Sequence, residues 1–477
     1  MFETGIRQFR MAMSMVWGRK VDPTNIGRLV NDALATLAEF GEPGMDVQTL
    51  TDGPFADPVT RTEFQNRGLR RTARRLATLS PFYGERFTEA GIQADKLTIE
   101  TLSAVPVTLK EDLIRRPADF RCAGVEPCLT TRTTGTTGRA AEVWLSRYET
   151  ELWPSLAALS GVLRDEIRPT DCLQVNISSR ATAAIQQDVT LCRLVGAGCK
   201  ILGLVPPDEA LDSMLDGTST MLSTYPSYLG ELVVAARARG LGPSDFALRR
   251  IDVGGEVLSP ALAAAARATF GVTLVNDSFG MTEVLPVSGR SCTHGHLHHD
   301  INMGLAEVVS LTTGEAAGPG ELGSVVITPY YPYRECMPVF RYDTRDLVRT
   351  LPEGPLECEL SGIPATSAIL GKAGGVLWLG ETAITTRDLV EAYEALPTQP
   401  WPGRFAARVS GGRIVLTMPF AALEGYGEAE AVEHFADRGL QVDLELVSDD
   451  DARTLRPLRC DLRETTFAAP PLVPAGV

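Results

Sequence analysis

Between Asp171 and Ile327, short β-like runs alternate with Ala- and Leu-rich helical stretches, and this alternation restricts the fold more than any other feature. The runs are Cys172–Ile177, Lys200–Val205, Thr220–Ser223, Arg250–Val253 and Val272–Asn276. Apolar strands separated by helices pair as parallel neighbours through crossovers, so the expected core is an α/β domain with a largely parallel sheet. Gly320–Pro329 reads as a strand of a smaller sheet. Before this region the chain reads mainly as helix. Asn66–Leu79 is Arg-rich and amphipathic, Glu85–Ala90 is a second short helix, and Ser80-Pro81 breaks between them.

Leu370-Gly371-Lys372-Ala373-Gly374-Gly375 sets three glycines between apolar runs, a composition suited to a hinge. Beyond it, Thr386–Leu396 reads as helix. Arg404–Val409 and Arg413–Thr417 read as a hairpin across Ser410-Gly411-Gly412. Ala429–Arg438 reads as helix and Gln441–Val447 as strand. Two domains are expected, a large one over 1–371 and a small α+β lid over 372–477, in keeping with a length of 477 residues. The Pro-rich stretch from Ala468 is expected to be loose.

A net charge of −15 argues against nucleic acid as the main partner, since neutralising a phosphate backbone takes clustered Lys and Arg. Apolar runs all fall short of the roughly 18–20 residues of a membrane span, and Met1–Gly5 lacks a signal-peptide layout, so a cytoplasmic location is expected. Nine scattered cysteines in such a setting do not suggest a disulfide framework. Cys192 and Cys199 lie in an apolar segment and read as core. Only five residues are lysine: Lys20, Lys96, Lys110, Lys200 and Lys372.

The sharpest chemical motif is Thr133-Thr134-Gly135-Thr136-Thr137-Gly138, four threonines and two glycines in six residues. Glycines let the backbone N–H groups turn inward, and hydroxyls add donors for phosphate oxygens. No lysine follows, so this is not the P-loop of the Walker type.

The loop resembles the phosphate loop of the adenylate-forming superfamily of acyl-CoA synthetases, peptide-synthetase adenylation domains and luciferases. Further blocks follow in that family's order. Gly254-Gly255-Glu256 is similar to the adenine-contacting block, and Asn276-Asp277-Ser278-Phe279-Gly280-Met281-Thr282-Glu283 to the aromatic-Gly-x-Thr/Ser-Glu block. Arg341–Asp346 is similar to the Arg-Tyr-x-Thr-x-Asp block, and Ile369-Leu370-Gly371-Lys372 to the hinge. Pro106–Leu113 resembles the lead-in of the phenylacetate–CoA ligase branch. The resemblance implies an α/β fold, with a large adenylate-forming domain on parallel-core sheets and a small mobile α+β C-terminal domain.

It also implies roles. Thr133–Gly138 would hold the β- and γ-phosphates of ATP, and Thr282 the α-phosphate. Glu283 would hold Mg²⁺, which bridges phosphate oxygens. Asp346 would accept both ribose hydroxyls, which one carboxylate can do. Phe279 would flank adenine, near Gly255, Glu256, Asn276, Asp277 and Ser278. Asn176, Arg180, Tyr225 and Tyr228 would line the acid pocket, with tyrosines suited to an aromatic ring.

Four of the five histidines fall within Cys292-Thr293-His294-Gly295-His296-Leu297-His298-His299. Cys and His at such spacing suit zinc. Members of the phenylacetate–CoA ligase branch often carry a structural zinc here. The resemblance matches Cys292, His298 and Cys358 as ligands, and Cys336 is expected as the fourth.

The chain departs from the family in two places. No lysine follows Lys372, and arginines fill the stretch Arg453–Arg463 where the superfamily keeps an adenylation lysine. At the hinge, Lys372 stands for the usual Arg and Gly374-Gly375 for the usual Asp. Lys110, Lys372 or an arginine is then the expected compensating cation. The expected activity is AMP-forming activation of a small, aromatic acid, followed by transfer to coenzyme A or another nucleophile, with a homodimer as a resemblance-level expectation. Two alternatives use the same fold. One pairs ATP with nitrite and an arylamine, or makes an amide; the other is a nucleotide-binding regulatory paralogue without turnover.

Overall fold

A computed structural model describes residues 6–11, 14, 19–40, 57–133, 140–352, 354, 356–452, 455 and 461–462. The core sheet has eight strands: β3 (Cys172–Asn176), β4 (Gly198–Ile201), β5 (Met221–Thr224), β6 (Arg250–Gly254), β7 (Leu274–Gly280), β8 (Ser288–Ser291), β9 (Leu297–His299) and β13 (Ala365–Thr366), in the order β13-β9-β8-β7-β6-β5-β3-β4. The hairpin β1 (Pro127–Arg132) and β2 (Glu142–Ser146) precedes it. From β7 to β4 every pairing is parallel, while β8, β9 and β13 run antiparallel. The alternation expected from the sequence is therefore the parallel half of this sheet. The helices between its strands bury one face each, as with Ala210, Leu211 and Met214 of Pro207–Leu215.

A second, antiparallel sheet orders β10 (Gly304–Ser310), β11 (Leu322–Pro329), β12 (Tyr342–Arg349) and β14 (Gly371–Lys372). β11 is buried at every position, and its two polar side chains are hydrogen-bonded there, Ser324 to Asp343 and Thr328 to Arg341 N. The hinge glycines thus begin within a strand: Asp346 pairs with Lys372 and Leu347 with Gly371.

The C-terminal unit opens with the small ladder β15 (Leu377–Leu379) and β16 (Thr382–Ile384), then the helix Thr386–Glu394. Thr385 caps that helix: its hydroxyl accepts from Asp388 N, and Asp388 accepts from Thr385 N in return. The expected hairpin forms as β17 (Ala406–Ser410) and β18 (Arg413–Pro419), with Gly411 and Gly412 at φ 57° and 77°, a left-handed pair suited to glycine. β19 (Val442–Val447) and β20 (Asp461–Leu462) add parallel strands on either side. Leu389, Val390 and Tyr393 of this unit share one apolar cluster with Leu258, Leu262 and Ala266 of the large domain. Each buried Leu or Val of this cluster is worth about 1.5–3 kcal/mol relative to exposure.

Candidate active site

In parallel α/β sheets, ligands sit outside the carboxyl ends of the strands. Here those ends carry Ser178 after β3, Tyr225 after β5, Gly255-Glu256 after β6 and Met281-Thr282-Glu283 after β7. Gly255 has φ 79°, and a Cβ there would stand 3.6 Å from the Tyr225 ring. The Tyr225 hydroxyl accepts from Ser178 N at 3.3 Å, and Glu256 accepts from Ser227 N at 2.9 Å. One continuous rim of loop ends results.

Two segments from elsewhere complete it. Thr108 N donates to Arg341 O at 2.7 Å and Asp343 N to Thr108 O at 3.0 Å, so the lead-in Pro106–Leu113 lies along the start of β12. This brings Lys110 Nζ to 3.8 Å from Glu283 Oε1, with Lys110 17% and Glu283 3% exposed. The Tyr342 hydroxyl donates to the same oxygen at 3.4 Å. Burial, with the Glu283 carboxylate beside it, raises the Tyr342 phenol well above its usual range and keeps it a donor. On the other flank, Lys372 Nζ donates to Asp346 Oδ2 at 2.7 Å and to Thr344 O at 3.2 Å, and lies 4.0 Å from Met281 Sδ. The two carboxylates assigned by motif, Glu283 and Asp346, thus each face one lysine.

Backbone strain collects in this block. Arg341 and Arg345 have φ 46° and 61°, left-handed values for residues with side chains. Such positions cost of order 1–3 kcal/mol and persist where their surroundings over-determine them. The Arg341 guanidinium is 3% exposed and bonds Glu307 Oε2 at 3.2 Å and the carbonyls of Leu102 and Val105 at 3.0 and 2.5 Å. That anchoring holds Tyr342 and Asp346 in place.

Other expected residues are distributed unevenly. Thr133 closes the base of the β1–β2 hairpin, donating its N–H to Ala141 O and accepting from Ala141 N, both at 3.0 Å. Thr134, Gly135, Thr136, Thr137 and Gly138 lie outside the described residues, as do Arg453, Arg456, Arg459 and Arg463. Asp277 stands 3.8 Å from Arg387, and Ser278 bonds Val253 O at 3.2 Å.

Some expectations need correction. Phe279 is 8% exposed and packs in the core, 6.4 Å from the His299 ring, because β7 alternation turns it away from the open face. Asn276 donates to Asp252 Oδ1 at 2.8 Å across the sheet and is occupied there. Asn176 is fully buried, accepting from Gln174 at 2.9 Å and donating to Gly203 O at 2.8 Å. Tyr228 is 6% exposed with its hydroxyl on Val205 O at 2.5 Å, so it is core and not pocket wall. Tyr225 and the exposed Arg180 remain at the rim.

At the antiparallel edge, the donor atoms of Cys292, His296, His298 and Cys358 all lie within 4.8 Å of one another. Cys358 Sγ is 3.4 Å from His298 Nε2, and His298 Nδ1 is 3.0 Å from Ile363 O. That carbonyl fixes the tautomer with Nε2 free to ligate, and burial lowers the His298 pKa, favouring the neutral ring a metal needs. His296 Nδ1 is buried without a hydrogen-bond partner among the described residues. Two thiols and two imidazoles fit tetrahedral zinc. His296, not Cys336, completes the set. Cys336 is buried elsewhere, its N–H on Glu149 Oε1 at 3.2 Å and its carbonyl accepting from Cys122 N at 2.9 Å. The signal for His296 is the His-Leu-His spacing, since residues two apart entering an extended strand share one face.

Among the described residues, no helix is long and apolar enough to cross a membrane. No protein-family model matches the chain. Phenylacetate-coenzyme A ligase of Pseudomonas putida is 26% identical over 281 residues, covering 57% of this chain and 62% of that protein. The Escherichia coli K12 protein of the same name is 26% identical over 281 residues, with 63% of it covered. The chain therefore spans slightly under two thirds of the length of these curated relatives. Among solved structures, 2-hydroxyisobutyryl-CoA ligase aligns with a TM-score of 0.73 at 18% identity, over 86% of this chain and 91% of that one. The anthranilate CoA ligase AuaEII aligns with a TM-score of 0.51 at 15% identity, over 68% and 63%. The chain is thus similar over slightly more than half its length to phenylacetate–coenzyme A ligases, and it shares its fold with the solved acid–CoA ligases.

Proposed function

We propose that the protein is an AMP-forming acid–CoA ligase. It activates a small, aromatic carboxylic acid with ATP as the acyl-adenylate, releases pyrophosphate and transfers the acyl group to coenzyme A. The observation that carries this reading is the convergence of Lys110, Glu283, Lys372 and Asp346 at the carboxyl end of β7. Attack of a carboxylate on the α-phosphate brings negative groups together, and fixed cations aimed at that point lower the barrier. Lys110 and Lys372 are suited to that work, which matters in a chain without a lysine beyond Lys372.

Asp346 would take the ribose hydroxyls once Lys372 turns from it to phosphate. Glu283 would hold Mg²⁺; its single charge, deep burial and oxygen donors fit a hard cation that keeps most of its waters. When bound, that ion neutralises phosphate charge. Thr282 would meet the α-phosphate, and Thr133–Gly138 the leaving pyrophosphate. Cys292, His296, His298 and Cys358 would hold a structural zinc that ties the β8–β9 turn to the Cys358 loop. Tyr225 is suited to stack on an aryl ring. The named activity of the phenylacetate and anthranilate ligases supports an aryl acid and a coenzyme A acceptor.

The test is AMP formation. Protein with Mg-ATP is supplied with aryl and small acids, with coenzyme A, an amine, nitrite or nothing added in turn. AMP that requires an acid and rises with coenzyme A supports the proposal. AMP dependent on nitrite and an arylamine, or nucleotide binding without AMP under every condition, would replace it.

A further inference from the structure

Arg387 stands in the first turn of the helix Thr386–Glu394, yet its guanidinium reaches beyond that helix to Leu258, Ile369 and Asp277. Nε donates to Ile369 O at 2.6 Å, and Nη1 donates to Leu258 O at 3.0 Å and to Glu391 Oε1 at 2.9 Å. Its backbone N–H bonds Leu370 O at 2.9 Å. The side chain is 11% exposed. Nη2 is buried with no hydrogen-bond partner among the described residues, and it points at Asp277 Oδ2, 3.8 Å away. The hinge is tight at the same place: Gly371 has φ 120°, and a Cβ there would fall 2.6 Å from Thr386 Cβ. No side chain fits between hinge and helix.

We propose that Arg387 is a positioning residue of the nucleotide site, linking the placement of the C-terminal unit to the strand that carries Asp277, Thr282 and Glu283. The inference rests on the nucleotide reading above. A buried guanidinium with an unmade hydrogen bond is costly, and the Asp277 carboxylate is the group in reach that can complete it. Arg387 touches three separate large-domain segments at once: the hinge at Ile369, the lead-in to the helix Pro260–Phe270 at Leu258, and β7 at Asp277. Movement of the C-terminal helix must therefore release β7 from its cation. Burial raises the Asp277 carboxyl to about 6 even against the opposing pull of the Arg387 guanidinium. Removing the cation leaves a carboxyl that protonates nearer neutrality, changing the charge two residues before Phe279 and five before Thr282.

Mg-ATP binding would be measured by titration calorimetry from pH 5.5 to 8.5 on wild type, Arg387→Met and Arg387→Lys, with melting curves beside each. In Arg387→Met, affinity at neutral pH is expected to fall about fivefold or more. The acid limb of binding, set near pH 6 by Asp277, should move upward. Phosphate titration is common to all three proteins, so the difference reports the carboxyl. Arg387→Lys keeps a charge and loses the planar fork, so the limb should stay near the wild-type position while affinity still drops. A lower melting temperature with unchanged affinity and an unmoved limb would overturn the inference. If Arg387→Met does not fold, unchanged affinity in Arg387→Lys overturns it equally. A wild-type protein that binds no Mg-ATP would remove the nucleotide reading itself, a distinguishable failure that takes this inference with it.

Discussion

Lys372 Nζ lies 2.7 Å from Asp346 Oδ2, across a strand pair that sets the two residues directly opposite each other. The hinge lysine therefore sits on the carboxylate assigned to ribose. A nucleotide must displace this contact, and the freed ammonium is then within the site. Lys372→Met should cut the rate of AMP formation by about 10²-fold or more, the scale of removing one preorganised charge. The KM for ATP should change far less, because Asp346 gains access to ribose as the cation is lost. Rapid-quench measurement of pyrophosphate release decides it, and an unchanged rate would discard Lys372 as the compensating cation.

Glu283 is 3% exposed and faces Lys110 at 3.8 Å and the Tyr342 hydroxyl at 3.4 Å. Glu283→Gln keeps the volume and removes the charge. Mg²⁺-dependent turnover should fall by at least about 10²-fold while circular dichroism stays unchanged. Near-normal turnover would sink the magnesium assignment.

The metal reading separates Cys292 and Cys358 from Cys336. One zinc per chain is expected by elemental analysis of the wild type. Cys292→Ser, His296→Ala and Cys358→Ser should each lose it and melt earlier. Cys336→Ser should keep it, because Cys336 is buried against Glu149 instead. Wild-type protein free of zinc would refute the site.

Glu394 carries a pH dependence. Its carboxyl is fully buried between the Ser259 hydroxyl and Gly403 N, with Glu256 and Glu391 as the facing acids. Burial, the largest cause, pushes its pKa from 4.5 up to about 8. The folded state holds this proton while the unfolded state releases it, so stability falls as pH rises from about 4.5 to about 8 and then levels. Glu394→Gln should flatten that slope and gain on the order of a few kcal/mol relative to wild type at pH 8. Denaturant melts at pH 5 and pH 8 measure it; parallel shifts at both would be the contrary result.

Acid selectivity should reside in Tyr225 and not Tyr228. Tyr225→Ala should change the preferred acid, since its ring lies at the rim against Gly255. Tyr228→Phe should leave selectivity alone and cost about 1 kcal/mol of stability for one buried hydrogen bond. Competition assays with paired acids distinguish the two.

Much of this was legible in the residues. Strand–helix alternation from Asp171 marks the parallel sheet because each apolar run must cross over to its neighbour. Ser80-Pro81 ends one helix and starts the next, since the missing proline N–H costs nothing in a first turn. The hairpin at Gly411-Gly412 follows from two left-handed positions. Glu283 and Asp346 stand out in the sequence because each lies inside a contiguous block, while their lysine neighbours emerge only in the fold. The motif at Phe279 says nothing about which face of β7 is open, and the strand period buries Phe279 in the apolar cluster with Val284 and Val287.

Chain order alone determined the parallel core, because strand–helix alternation depends on periodicity and on neighbours in sequence. Only the tertiary structure decided that Lys110 meets Glu283, that Arg387 reaches Asp277, and that Cys358 meets His298. Those pairs come from segments far apart in the chain. Their meeting depends on sheet order and on which side chains the core could bury, and no local pattern encodes either.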